Sequence, residues 1–121
     1  MREIEFRAKQ DNKWFYGCYV NQKNKHVIFE KESTWHHYID ENTLGQYTGL
    51  CDKNGTKIFE GDIVRISDWF IDVVIFTNGC FCMKEQIMHY EFTYQDFETI
   101  EVIGNIHDNP ELLGGTDEDN A

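Results

Sequence analysis

The sequence predicts an all-β or mostly β protein, a strongly bent sheet or small barrel with at most short helices. Three observations carry that prediction. Nine Phe, six Tyr and three Trp stand against a single Pro, a composition that suits half-buried, pleated strands. Ala and Leu, the best helix formers, occur only two and four times. Short alternating runs of apolar and polar residues recur along the chain, separated by Asn-, Asp- and Gly-rich turn signals.

Residues 3–8 alternate charged and apolar side chains with a period of two, the pattern of a half-buried strand. Asp11-Asn12-Lys13 reads as a turn, and residues 14–20 as a second strand that places Trp14, Tyr16, Cys18 and Val20 on one face. A polar turn over residues 21–25 leads to a third strand at 26–30, completing a meander. Residues 32–42 mix large side chains of every kind and are read as strand. Next come two runs, 47–50 and 56–59, on either side of Asp52-Lys53-Asn54-Gly55. There Asn-Gly is expected to supply the positive backbone dihedrals of a tight hairpin.

Glu60-Gly61-Asp62 follows at once and leads into the apolar run at 63–66. Gly61 permits a backbone conformation that a side chain would block, and Asp62 is placed to accept from nearby amides and fix the turn. Residues 70–77 form the next strand, and Asn78-Gly79 turns the chain into Cys80-Phe81-Cys82-Met83. Residues 84–94 fit either a short helix or a long aromatic loop, and 99–107 reads as a strand. Asn109-Pro110-Glu111 has the cap, first-turn proline and acid of a helix start, but Gly114-Gly115 limits that helix to one turn. The chain is therefore expected to be a single β-rich domain over 1–113 with an acidic, disordered tail at 114–121. The part from 46 to 105 has the strand and turn order of an SH3-like barrel.

The formal net charge is −11, and four of the excess negative charges lie in the last eleven residues. Such a surface repels a phosphate backbone, which argues against nucleic acid as a partner. The clustered bases Lys23 and Lys25 fall in a hairpin loop rather than a groove. The charged start of the chain lacks the apolar core of a signal peptide, and no apolar run approaches a membrane span. The expected location is thus the cytoplasm, where Cys18, Cys51, Cys80 and Cys82 stay reduced as structural thiols.

Among residues that could carry chemistry, Glu60 and Asp62 come first, because two carboxylates at a turn can contribute to a hard-cation site. An Asx-type turn accounts for Asp62 without a metal. His36 and His37, if extended, point to opposite faces and cannot chelate one ion together. No local nucleophile signature or phosphate loop is present, so no catalytic residue, metal ligand or cofactor is assigned. The aromatics Trp69, Trp35 and Tyr38 are the candidate interaction residues, with Glu60 and Asp62 beside them in the candidate list, and Trp69 is the one expected to be partly exposed.

Taken in order, Arg2-Glu3-Ile4 through Phe6-Arg7-Ala8, Gln46-Tyr47-Thr48-Gly49-Leu50, Asp52-Lys53-Asn54-Gly55, Phe59-Glu60-Gly61-Asp62-Ile63-Val64 and Ile103-Gly104-Asn105-Ile106-His107-Asp108-Asn109-Pro110-Glu111-Leu112-Leu113 resemble the YopX family of phage and prophage proteins. The resemblance spans nearly the whole chain. It implies a YopX-like, mostly β fold and a phage or prophage origin in a bacterial host, and it implies no activity. The expected role is a non-enzymatic cytoplasmic module that binds an unknown protein partner or itself, without nucleic acid or membrane. Two other readings are an acidic DNA mimic that blocks a nucleic-acid-binding host protein, and a metal-assisted hydrolase using Glu60, Asp62 or nearby histidines.

Overall fold

The computed structural model describes residues 3–67, 70–77, 79–84 and 100–113. These residues are mostly strand, arranged as two antiparallel sheets that are not closed, and they include one 3₁₀ turn and no α-helix. The expected mostly β, bent-sheet fold is observed. The chain divides into two compact units, Met1–Gly49 and Leu50–Ala121.

The first unit is built from β1 (Phe6–Gln10), β2 (Lys13–Gln22), β3 (Lys25–Phe29), β4 (His36–Tyr38) and β5 (Asp40–Cys51), in the spatial order β4-β3-β2-β1-β5. Two-residue loops close the first two hairpins, since Gln10 pairs with Lys13 and Gln22 with Lys25. In the second loop both Lys23 and Asn24 have positive φ, 52° and 66°. That backbone matches the right-handed twist of the flanking strands.

β2 changes partner along its length. Lys13 to Gly17 pair with β1, and Cys18 to Gln22 pair with β3. Gly17 sits at the changeover with φ 155°, and a Cβ there would lie 1.9 Å from the Phe29 carbonyl oxygen. Only glycine lets the two backbones approach this closely. Where β1 meets β5 the register shifts, and Thr43 bridges the irregularity: its Oγ1 accepts from Lys9 N at 2.8 Å and donates to Asp40 O at 2.7 Å.

The second unit takes in the end of β5 and then β6 (Lys57–Phe59), β7 (Asp62–Ser67), β8 (Phe70–Thr77), β9 (Cys80–Met83) and β10 (Glu101–Asn105), with the sheet order β10-β7-β8-β9. Its core is Ile58, Val64, Val74, Met83 and Ile100, all fully buried, with Ile66 and Val102 packed against them. Each such side chain contributes about 1.5–3 kcal/mol through removal from water.

The hairpin after β5 differs from expectation in detail. Gly55 has φ 85° but Asn54 does not take positive φ. Gly55 N donates to Asp52 O at 3.0 Å, and Asp52 N to Thr56 O at 2.8 Å, so the loop is longer than a two-residue Asn-Gly turn. The reason lies in Asp52, whose carboxylate organises the loop. Oδ1 accepts from Asn54 N and Thr56 N at 2.8 and 2.9 Å, and Oδ2 accepts from Val102 N at 2.9 Å.

At the β6–β7 turn Gly61 has φ 95°. Its N–H donates to Val74 O at 2.8 Å and its carbonyl accepts from Ile106 N at 2.9 Å. After β10, Asn105 and Asn109 bind reciprocally. Asn105 N donates to Asn109 Oδ1 at 3.2 Å and Asn109 N to Asn105 O at 2.8 Å. The expected single turn of helix is the 3₁₀ turn Pro110–Leu112, but Asn109 makes no side-chain cap because its oxygen serves Asn105. Trp69, Asn78, residues 85–94 and the tail 114–121 lie outside the described residues. All four cysteines are free thiols.

Candidate functional site

Of the residues singled out in the sequence, Trp35 and Tyr38 fall close together, at the outer edge of the first unit. Trp35 is 72% exposed and Tyr38 55%. The loop that presents Trp35 is fixed through the backbone, not the ring. Glu30 N donates to Trp35 O at 2.9 Å, and Trp35 N to Ser33 Oγ at 2.9 Å. Tyr38 ends β4, the edge strand.

Glu60 and Asp62 belong to the second unit. Asp62 is 2% exposed, and its Oδ2 accepts from Phe59 N at 2.7 Å. This is the turn-fixing role anticipated for it, and the buried carboxylate offers nothing to a partner's surface. Glu60 is half-buried. Among the described residues no three His, Cys, Asp or Glu side chains form a metal-ligating group.

His36 and His37 do point to opposite faces of β4. His37 stacks on Phe15 with centroids 3.7 Å apart, and its Nε2 lies 2.8 Å from Glu30 Oε2. His36 lies on the other face, its ring 5.1 Å from Phe29 and edge-on to Tyr38 at 5.9 Å. His36 Nδ1 donates to the Thr34 carbonyl at 3.1 Å. His26 joins three strands, with Nδ1 2.6 Å from the Tyr19 hydroxyl and Nε2 paired with Glu41.

The two faces of this sheet differ. Ala8 and Ile28, fully buried, share one face with Phe6, Phe15 and Tyr19. The other face carries Trp14, Tyr16, Cys18 and Val20, the row expected from the sequence, and it is the open one. Tyr16 is 44% exposed and Val20 38%. Trp14 is covered by cations, with the Arg7 guanidinium 4.6 Å and the Lys9 ammonium 5.6 Å from its ring centroid.

Register extends the open face outward. Val20 pairs with Val27 and Cys18 with Phe29, while Val27 pairs with Tyr38 and Phe29 with His36. Val27, Phe29, His36 and Tyr38 line a groove of about 300 Å³, with buried Val27 at its floor and the exposed Lys23 and Lys25 at its rim. The sequence indicated neither lysine as a functional residue. The alternation through Lys25, Val27 and Phe29 placed them on one face, but only the pairing with β4 turns that face into a groove.

Over its described residues the chain is built of antiparallel strands, and the sheet of the first unit exposes an aromatic face. The chain belongs to the YopX protein family, whose model matches residues 5–114. The fold is similar to that in the crystal structure of protein EF1440 from Enterococcus faecalis, with a TM-score of 0.60 over 93% of this chain and 99% of that one, at 21% identity. None of the curated proteins matches the chain. No helix among the described residues is long and apolar enough to cross a membrane.

Proposed function

We propose that this YopX-family chain is a non-enzymatic protein-interaction module of phage or prophage origin that works in the cytoplasm of a bacterial host. The observation that carries the reading is the exposure of Trp35, Tyr38, Tyr16 and Val20 in one small unit. Large aromatic side chains held in water by an ordered backbone are the usual anchors of protein interfaces. The reading treats 1–113 as one functional domain, with its 46–105 part SH3-like in character.

Three acids of the second unit serve the fold and are not available to phosphate mimicry or metal chemistry. Asp52, Asp62 and Asp72 are buried, and each accepts from backbone amides. They hold turns and strands instead of lining a surface.

The test compares the wild-type chain with a Trp35→Ser/Tyr38→Ser variant, by affinity capture from bacterial host lysate and by sedimentation. The reading expects either a captured protein or self-association that the variant loses. A wild-type chain that captures nothing and sediments as a monomer would overturn it.

A further inference from the structure

The outer edge of β4 has backbone groups that no other strand uses among the described residues. In the β3–β4 hairpin Ile39 N donates to His26 O at 2.9 Å, and Glu30 N to Trp35 O at 2.9 Å. Antiparallel pairing alternates, so the backbone groups of residues 35, 37 and 39 face β3. Those of His36 and Tyr38 face away from it. Among the described residues β4 is the last strand in its sheet, so there the N–H and C=O of both residues lie on an open edge. The side chains of these same two residues wall the groove described above.

Charge identifies the kind of strand that fits. The chain carries a net charge of −11, yet at this edge Lys23 and Lys25 stand at the groove rim. Among the described residues neither lysine has a carboxylate partner, whereas Lys31 pairs with Glu3 at 2.5 Å and Arg65 lies 3.6 Å from Glu101. Proteins commonly protect an edge by placing charges or Pro on the strand itself. Here β4 reads His36-His37-Tyr38, and the positive charge lies beside the edge, where an incoming side chain would reach it.

We infer that β4 is a strand-addition site for an extended acidic peptide of a partner protein. The peptide's backbone pairs with His36 and Tyr38. One of its apolar side chains enters the groove over Val27 between Phe29 and Tyr38, and a nearby Asp or Glu meets Lys23 and Lys25. Trp35, on the opposite face of the edge, covers the alternate side chains. Main-chain pairing supplies affinity in such complexes, and the pockets for alternate residues supply specificity. This inference rests on the interaction-module reading and names the site and the partner chemistry.

A display library of random linear peptides, selected on the immobilised full-length chain, tests it. Enriched peptides should alternate apolar residues with acids. Synthesised individually, they should lose roughly tenfold in affinity toward a Lys23→Glu/Lys25→Glu variant, equivalent to the removal of two exposed ion pairs. N-methylation of the peptide at alternate backbone positions should abolish binding in one register and spare it in the other. Circular dichroism verifies that the variant keeps its fold, and Lys23→Gln/Lys25→Gln provides a milder second variant. The site is overturned if no peptide is enriched, if enriched peptides carry no excess of acids, or if both variants bind as tightly as the wild type. A captured partner that is still lost on Trp35→Ser/Tyr38→Ser substitution would, in those cases, leave the module reading standing without the β4 site.

Discussion

Asp52 and Gly17 show how single residues set this fold for reasons of different range. Asp52 is 4% exposed and accepts from three backbone amides, one of them on Val102, fifty residues away. Truncation to Ala removes the acceptor from three part-buried donors, at about 1 kcal/mol each. Asp52→Ala is therefore expected to cost about 3 kcal/mol in urea denaturation, with Lys53→Ala beside it within about 0.5 kcal/mol of wild type. Gly17 forbids a side chain because a Cβ would overlap the Phe29 carbonyl. Gly17→Ala should destabilise the chain by about 3 kcal/mol or more, visible as a lower denaturation midpoint. The local roles were legible in the sequence: Gly61 takes the positive φ of the turn, and Asp62 fixes it by accepting from Phe59 N three residues away. The Val102 bond and the Gly17 contact were not, since each depends on a strand brought in from elsewhere in the chain.

At the level of elements, alternation and turn chemistry located most strands, because both signals are local. The meander of β1, β2 and β3 and the strands on either side of Gly79 lie close to where the sequence put them. The short β4 and the twelve-residue β5 were harder to see. Residues 32–42 alternate poorly, since β4 is an exposed edge and the start of β5 is bonded through the Thr43 side chain instead of a regular ladder. The 52–56 loop departed from the Asn-Gly expectation because Asp52 binds the loop amides itself. The true two-residue loop with positive φ at both positions is Lys23-Asn24, where Lys is strained. A Lys23→Asn/Asn24→Gly variant supplies the residues that such a loop favours and should gain about 1 kcal/mol, read as a higher Tm.

For the molecule as a whole, the candidate site was half legible. Trp35 and Tyr38 were chosen from the sequence as large aromatics available for an interface, and both are exposed at the β4 edge. Of Glu60 and Asp62, chosen from the same sequence, Asp62 fixes the turn of the second unit and Glu60 lies beside it, and the lysine-rimmed groove became visible only once β3 and β4 were paired. Function is expected to follow the first unit's open face and β4 edge, so that it can be lost without loss of folding. Tyr16→Ser and Val20→Ser, on exposed positions of β2, should leave the unfolding free energy in urea within about 0.5 kcal/mol of wild type, while any partner resting on that face binds less tightly.

Amide hydrogen exchange by NMR on the full chain, free and saturated with the tightest peptide from the display selection, tests the central claim most directly. In the free chain the amides of His37 and Ile39 should be protected by β3, while those of His36 and Tyr38 exchange rapidly. With peptide bound, His36 and Tyr38 should become protected. If those two amides are already protected in the free chain, or stay unprotected when peptide is bound, the β4 edge is not the surface through which this protein recognises its partner.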